Sequence, residues 1–303
     1  MAKYEVVIIG GGPAGLTAGL YTSRSGLKSL LLERGMFGGQ IVNAPLVENY
    51  PGFPEGISGA DLGSLMHQQA TKYGLETVTA EVKGVEVTRP YKLITTGGSF
   101  EAEAIIIAAG SEYRKLGVPG EETLVGHGVS YCATCDGFFF RGKEVAVVGG
   151  GDAAITDALE LAQQSSKVYL IHRRDQLRAG QVLQKRALAE SKIELVWDTV
   201  VEEIIGAELV KALKLRNVKS KRLSTLEVAG VFVAVGLKPN NQPFADAVKL
   251  GKTGHIVTDE LMATSAKGIF AAGDIRHSSA RQIASAVGDG ATAALSTFSY
   301  LKG

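Results

Sequence analysis

The chain has 303 residues, enough for two domains of ordinary size. Hydrophobic residues make up 45% and charged residues 21%, so it is globular and not disordered. With 32 basic against 31 acidic residues the net charge is +1, which argues against a nucleic-acid footprint or a membrane-binding patch.

The N-terminus lacks a signal-peptide pattern, and no uncharged apolar run reaches about 18 residues. The expected location is therefore the cytoplasm, where structural disulfides are disfavoured.

Residues 5–35 read EVVIIGGGPAGLTAGLYTSRSGLKSLLLERG. An apolar β-branched run, a glycine cluster, a helical stretch and a second apolar run predict a βαβ unit. Gly10, Gly12 and Gly15 form G-x-G-x-x-G, which lets backbone turn tightly and approach a pyrophosphate at a helix N-terminus. Glu33, 23 residues after Gly10, can accept hydrogen bonds from an adenosine ribose. This copy therefore suits an unphosphorylated adenine dinucleotide, FAD or NAD. Extra strands are expected around residues 78–100, and the run ending at Gly110 is expected to close the unit. Pro119 and Gly120 mark a first linker.

The stretch VSYCATCDGFFFRG, Val129–Gly142, holds the only two cysteines, Cys132 and Cys135. A zinc site needs about four ligands, and of the five histidines only His127 is near in sequence. An inert buried pair is the other plain reading. The C-x-x-C spacing favours a redox couple, because such thiols opening a helix have lowered pKa values and their disulfide exchanges readily. Asp136, directly after Cys135, can act as general acid or base beside a thiol. It would also suit a helix N-terminus electrostatically.

Residues 144–174, EVAVVGGGDAAITDALELAQQSSKVYLIHRR, repeat the first unit without a gap at an offset of 139. Gly149, Gly151 and Ala154 give G-x-G-x-x-A. In place of Glu33 stands His172, followed by Arg173, Arg174 and Arg178. Guanidinium forks suit a 2′-phosphate, so this copy is expected to bind NADPH. Trp197 is expected in a core strand. The run AGVFVAVG, ending at Gly236, should close the second unit, and LKPNNQPF marks a second linker.

In GIFAAGDIR, Gly273 and Asp274 end an apolar run, where a polar group meets a cofactor at the carboxyl end of a sheet. Arg281 and Gln282 then open a long Ala-rich helix.

A hydride donor, a second dinucleotide and a dithiol suggest an electron path. Hydride and disulfide both exchange two electrons, and a flavin can link them, so the first copy is assigned FAD.

The motifs GGGPAGLTAGLYTSR, GGQ, VENYPGF, YCATCDG, VVGGGDAA, HRRDQLRA, GIFAAGDIR and RQIASAVGDGATAAL run in order through the chain. In this the chain resembles the low-molecular-weight thioredoxin reductases over essentially its whole length. The resemblance implies an α/β fold of two Rossmann-like domains. An NADPH domain, residues 116–241, carries C-x-x-C and is inserted into an FAD domain formed by residues 1–115 and 242–303. It implies a homodimer whose partner is thioredoxin or a thioredoxin-like protein, with Cys135 against the flavin, Cys132 attacking the partner disulfide, and Asp136 as proton donor. FAD contacts would add Pro13, Ala14, Gly39, Gln40, Asn49, Val82, Ala109 and Ile283 to the residues above. NADPH contacts would add Asp152 and Ala153. Because dithiol and NADPH share one domain, that domain must rotate between half-reactions, with hinges near residues 113–118 and 240–244.

Two features depart from the family. Ala153 replaces a frequent Ser or Thr beside the pyrophosphate, and the helix continues ITDAL, with Thr156 and Asp157, where two glutamates are common. A relative taking electrons from another donor, a non-enzymatic redox sensor and a peroxide-system reductase are the alternatives. The complete NADPH motif speaks against the first two. The third carries an N-terminal thioredoxin-like module, for which a glycine motif starting at residue 10 leaves no room.

Overall fold

The computed structural model describes residues 2–44 and 46–303. The chain divides into two compact units, Met1–Glu112 with Lys238–Gly303, and Tyr113–Leu237.

The first unit begins with β1 (Ala2–Ile9), α1 (Pro13–Arg24), β2 (Ser29–Glu33), α2 (Gly59–Thr71) and β3 (Glu76–Thr79). It continues with β4 (Val82–Glu86), β5 (Tyr91–Thr95) and β6 (Gly98–Ile107). β7 (Ser111–Tyr113) leads out of it. Strands run in the order β3-β2-β1-β6-β5-β4. The first four are parallel, with Val6–Ile9 set against Ser29–Leu32 on one side and Ala104–Ile107 on the other. β4 and β5 are antiparallel additions.

The apolar runs are continuous because the parallel strands are covered on both faces. Val7, Ile9, Leu30, Leu32, Ile105 and Ile107 pack on one side with Phe244 and Val248. Val6, Ile8, Leu31 and Ile106 alternate to the other.

The second unit contains β8 (Val129–Ser130), α3 (Ala133–Asp136), β9 (Glu144–Gly149), α4 (Asp152–Ala162), β10 (Lys167–Ile171) and α5 (Gln181–Ala189). β11 (Ile193–Val196), β12 (Thr199–Gly206), β13 (Val210–Asn217), β14 (Leu223–Glu227) and β15 (Gly230–Ala234) complete it. Its parallel sheet is β11-β10-β9-β15-β8, and β12-β13-β14 form a separate antiparallel sheet. Val145, Val147 and Phe232 face α4 through Ile155, Ala158 and Leu161. Val148, Val231 and Val233 face Val201, Leu213 and Leu215 of the antiparallel sheet.

β16 (Leu237–Pro239) returns the chain to the first unit, which ends with β17 (Ile269–Ala271) on β6 and with α6 (Ile283–Lys302). The units are thus two Rossmann-like α/β bodies, one inserted into the other. β6 closes the first unit on β1 and β15 closes the second on β9, as the rhyming runs predict.

Two local expectations change. The Pro119–Gly120 turn is internal to the second unit: a Cβ on Gly120 would lie 2.0 Å from the Ile204 carbonyl oxygen. Trp197 lies in the turn between β11 and β12, half-buried against the α4 side of the core, and not in a strand.

Candidate functional site

Cys132 and Cys135 form a disulfide with Cα atoms 5.3 Å apart. Cys132 is the N-cap of α3, and its sulfur accepts from the Cys135 amide at 3.1 Å. Cys135 is exposed and Cys132 half-buried. One turn of helix is enough to bring residues three apart together, so the spacing itself makes the bond.

Asp136 follows on the same turn, and its Oδ2 accepts from the Ser130 hydroxyl at 2.5 Å. Ser130 Oγ also accepts from the Cys132 amide at 3.1 Å. Burial pushes the Asp136 carboxyl above its usual range, with the Ser130 hydrogen bond opposing. A carboxyl shifted in this direction keeps its proton to higher pH, which suits a donor to sulfur. Glu121, 1% exposed, accepts from the amides of Leu116 and Gly117 and from the Tyr131 hydroxyl, which anchors the residue before Cys132. No motif in the sequence marks Ser130 or Glu121.

In the same unit, the turn Gly149–Gly151 leads from β9 into α4, with Asp152, Ala153 and Ala154 in its first turn. The N-cap Gly151 supplies no side-chain hydrogen bond, and a Cβ there would meet nothing within 4 Å. Free helix N–H groups facing open space suit a pyrophosphate. The Asp152 carboxylate instead accepts from the Gly180 amide at 2.8 Å, bracing the loop after Arg178. His172 is buried against Gly150, and its Nε2 has no partner among the described residues. Burial, then nearby Arg178, holds its ring below the ordinary range. Arg173, Arg174 and Arg178 are exposed and line one pocket of about 340 Å3. Gly236, at φ +114, ends the run after β15 and accepts from the Arg114 amide. The uncapped helix, the orphaned imidazole and the guanidinium pocket together fit NADPH.

The first unit builds the matching turn around Gly10, Gly12 and Gly15. A Cβ on Gly15 would lie 1.8 Å from the Gly10 carbonyl oxygen, so no larger residue fits between strand and helix. Pro13 opens α1 behind an N-cap, Gly12, without a side-chain bond. Glu33 accepts from Gly11 at 2.6 Å and Gly35 at 2.8 Å, leaving further lone pairs for ribose hydroxyls. Gly39 packs on Gly12, and Ala14 on Gly273.

A second cluster of the same unit joins distant parts of the chain. Gln40 donates to the Ser111 carbonyl. The Ser111 hydroxyl donates to the Asp274 carbonyl at 2.6 Å, and Ser279 to the Asp274 carboxylate at 2.8 Å. Burial pushes the Asp274 carboxyl up, against that hydrogen bond. Asn49 donates to Gln282, the N-cap of α6, which begins at Ile283. Arg281 is held at φ 57 with its amide on Ser279. The Asn240 side chain donates to Ala109 and its amide to Gly110. Val82 is buried in the sheet core, in the cluster against which Ala109 packs, and makes no polar contact to the others. The uncapped α1 and this polar cluster in one unit fit FAD. Ser111 and Ser279 were not legible as part of it.

Among the described residues there is no cluster able to hold a metal ion, and no helix is long and apolar enough to cross a membrane.

A disulfide-bearing Rossmann unit inserted in a second one defines a class of flavin-dependent disulfide oxidoreductases. The family profile described as pyridine nucleotide-disulphide oxidoreductase matches residues 4–290, and the chain belongs to that family. A thioredoxin reductase of Listeria innocua is 48% identical over 301 residues, 99% of this chain and 94% of the relative. The crystal structure of thioredoxin reductase from Streptococcus pyogenes superposes with a TM-score of 0.95 at 44% identity, covering 99% of both chains. That of Lactococcus lactis thioredoxin reductase, in what is termed the FR conformation, gives 0.67 at 45% identity, over 98% of this chain and 99% of that one. Within the family, the chain falls among the thioredoxin reductases.

Proposed function

We propose that this chain carries electrons from NADPH through FAD and the Cys132–Cys135 disulfide to the disulfide of thioredoxin. The observation that carries this reading is the Cys132–Cys135 bond at the start of α3, with Cys135 exposed and the half-buried Asp136 carboxyl next to it, in the unit that also holds the guanidinium pocket.

FAD supplies the conversion of a hydride into an electron pair that sulfur can accept. Two electrons break the Cys132–Cys135 bond and leave a thiolate on Cys135 and a thiol on Cys132 once one proton is taken up. Cys132, after giving up its proton, attacks one sulfur of the thioredoxin disulfide and forms a mixed disulfide. The displaced thioredoxin thiolate takes a proton from Asp136. Cys135 then attacks Cys132, re-forms the original bond and releases the second thioredoxin sulfur as a thiolate, which takes the proton that Cys132 gave up. Solvent reprotonates Asp136, so thioredoxin gains two electrons and two protons in all.

The assignment of the FAD and NADPH residues named above belongs to this proposal. So do a homodimeric state, a cytoplasmic location and rotation of the second unit between half-reactions. Rotation is supported by two solved relatives of near-equal identity that superpose so differently, at 0.95 and 0.67.

The test is anaerobic. One equivalent of NADPH should bleach the oxidised-flavin absorbance of the purified protein. Added oxidised thioredoxin should restore it in the wild type but not in Cys135→Ser. A flavin that dithionite reduces and NADPH does not would refute the donor assignment.

A further inference from the structure

The guanidinium pocket has a fourth cation that comes from a different element. Lys219 lies in the turn between β13 and β14, and it lines the pocket with Arg173, Arg174 and Arg178. Its Nζ sits 2.8 Å from Asp175 Oδ2 and 2.9 Å from Asp198 Oδ2. Both carboxylates also line the pocket.

The turn is fixed. The Asn217 carboxamide oxygen accepts from the Lys219 and Ser220 amides, and the Val218 amide donates to the Asp198 carbonyl at 2.6 Å. The three arginines, by contrast, form no ion pair with a carboxylate among the described residues. Four cations and two carboxylates leave a surplus of two positive charges. A phosphomonoester at neutral pH carries a charge of about −1.5 to −2.

We infer that Lys219 is a specificity residue for the phosphorylated nucleotide, reaching the 2′-phosphate from the β13–β14 turn opposite the arginines. Asp175 and Asp198 hold the ammonium in position until a phosphate competes for it. The two carboxylates therefore weaken phosphate binding while they orient its ligand. This inference rests on the reading of the pocket as the 2′-phosphate site.

Isothermal titration calorimetry on the FAD-loaded protein tests it, with adenosine 2′,5′-bisphosphate and AMP as probes at low and high salt. In Lys219→Ala the preference for the bisphosphate over AMP should fall about three- to tenfold and its salt dependence should weaken. Lys219→Arg should retain most of the preference. Asp175→Asn, which removes a competing carboxylate, should strengthen bisphosphate binding about two- to fivefold. The Arg173→Ala/Arg174→Ala double variant serves as reference. If it loses the preference while Lys219→Ala keeps the wild-type value, the role of Lys219 is overturned. If the double variant also keeps the preference, the pocket is not the phosphate site and both readings fall.

Discussion

The Ser130 hydroxyl donates to Asp136 Oδ2 at 2.5 Å while its oxygen accepts from the Cys132 amide, so one buried side chain ties the acid to the first cysteine. Ser130 stabilises the charged form of Asp136, and burial disfavours it. Removing the hydroxyl raises the Asp136 pKa further. In Ser130→Ala, the alkaline limb of the rate of thioredoxin reduction should move to higher pH, and Ser130→Thr should restore it. Asp136→Asn should lose the limb and about 10²- to 10⁴-fold in rate, a general acid's usual contribution. Stopped-flow rates of flavin reoxidation against pH provide the measurement, and an unmoved limb in Ser130→Ala would contradict the assignment.

Glu121 holds two backbone amides and a phenol in a site that water does not reach. Glu121→Ala strands all three donors and should cost about 3 kcal/mol or more. Tyr131→Phe removes one hydrogen bond and should cost about 1 kcal/mol. Urea unfolding followed by circular dichroism gives both values, and equal effects would show that the amides are satisfied elsewhere.

At Gly290 α6 packs tightly on α1: a Cβ there would fall 2.2 Å from the Ala14 carbonyl oxygen. Gly290→Ala must push the helices apart, and the overpacking should cost about 1–3 kcal/mol despite the better helix propensity of alanine. Because Ala14 packs on Gly273 beside Asp274, FAD retention should drop as well. A variant as stable as wild type with full flavin content would refute this.

His255 is buried with its Nδ1 on Thr253, and burial, then Arg281 and His277, holds its ring below the ordinary range. His172 is lowered in the same direction. The unfolded imidazole gains its proton near pH 6.5 and the folded one only at lower pH. Their contribution is complete above the unfolded value and is lost as pH falls through the folded one. Unfolding midpoints should therefore drop between about pH 7 and pH 5, and His255→Gln should flatten that slope. An unchanged slope would exclude His255 as a contributor.

What the sequence revealed and what it hid have a common physical basis. Local periodicity specifies a strand, and a duplicated run specifies it twice. Val6–Ile9 and Val145–Val148 therefore identified themselves, and their neighbours β6 and β15 followed from the recurring Ala-x-Gly ends. The cysteines, the glycine turns and the arginine cluster are motifs whose chemistry depends on short spacing. Ser111 and Asp274 meet across 163 residues, and Asn49 and Gln282 across 233. Nothing in the vicinity of Ser111 announces its partner. Lys219 was hidden for the same reason: it enters the pocket from a hairpin turn far from the arginines it joins. Pro119–Gly120 misled because a turn rich in these residues marks a change of direction, and whether that change separates bodies depends on packing such as the Ile204 contact.

The repeat has a consequence for how two similar nucleotides are kept apart in one cell. The two glycine turns are alike, so neither can tell one dinucleotide from the other. In the proposed assignment sorting falls to the residues at the end of β2 and just after β10, where one copy presents Glu33 and the other His172 with its arginines. A 2′-phosphate arriving at Glu33 would meet a carboxylate fixed by two backbone amides and unable to swing aside. Under the proposed nucleotide assignment, Glu33 would bar the abundant electron donor as well as hold the flavin nucleotide, and the flavin seat would stay reserved even where NADPH is in large excess.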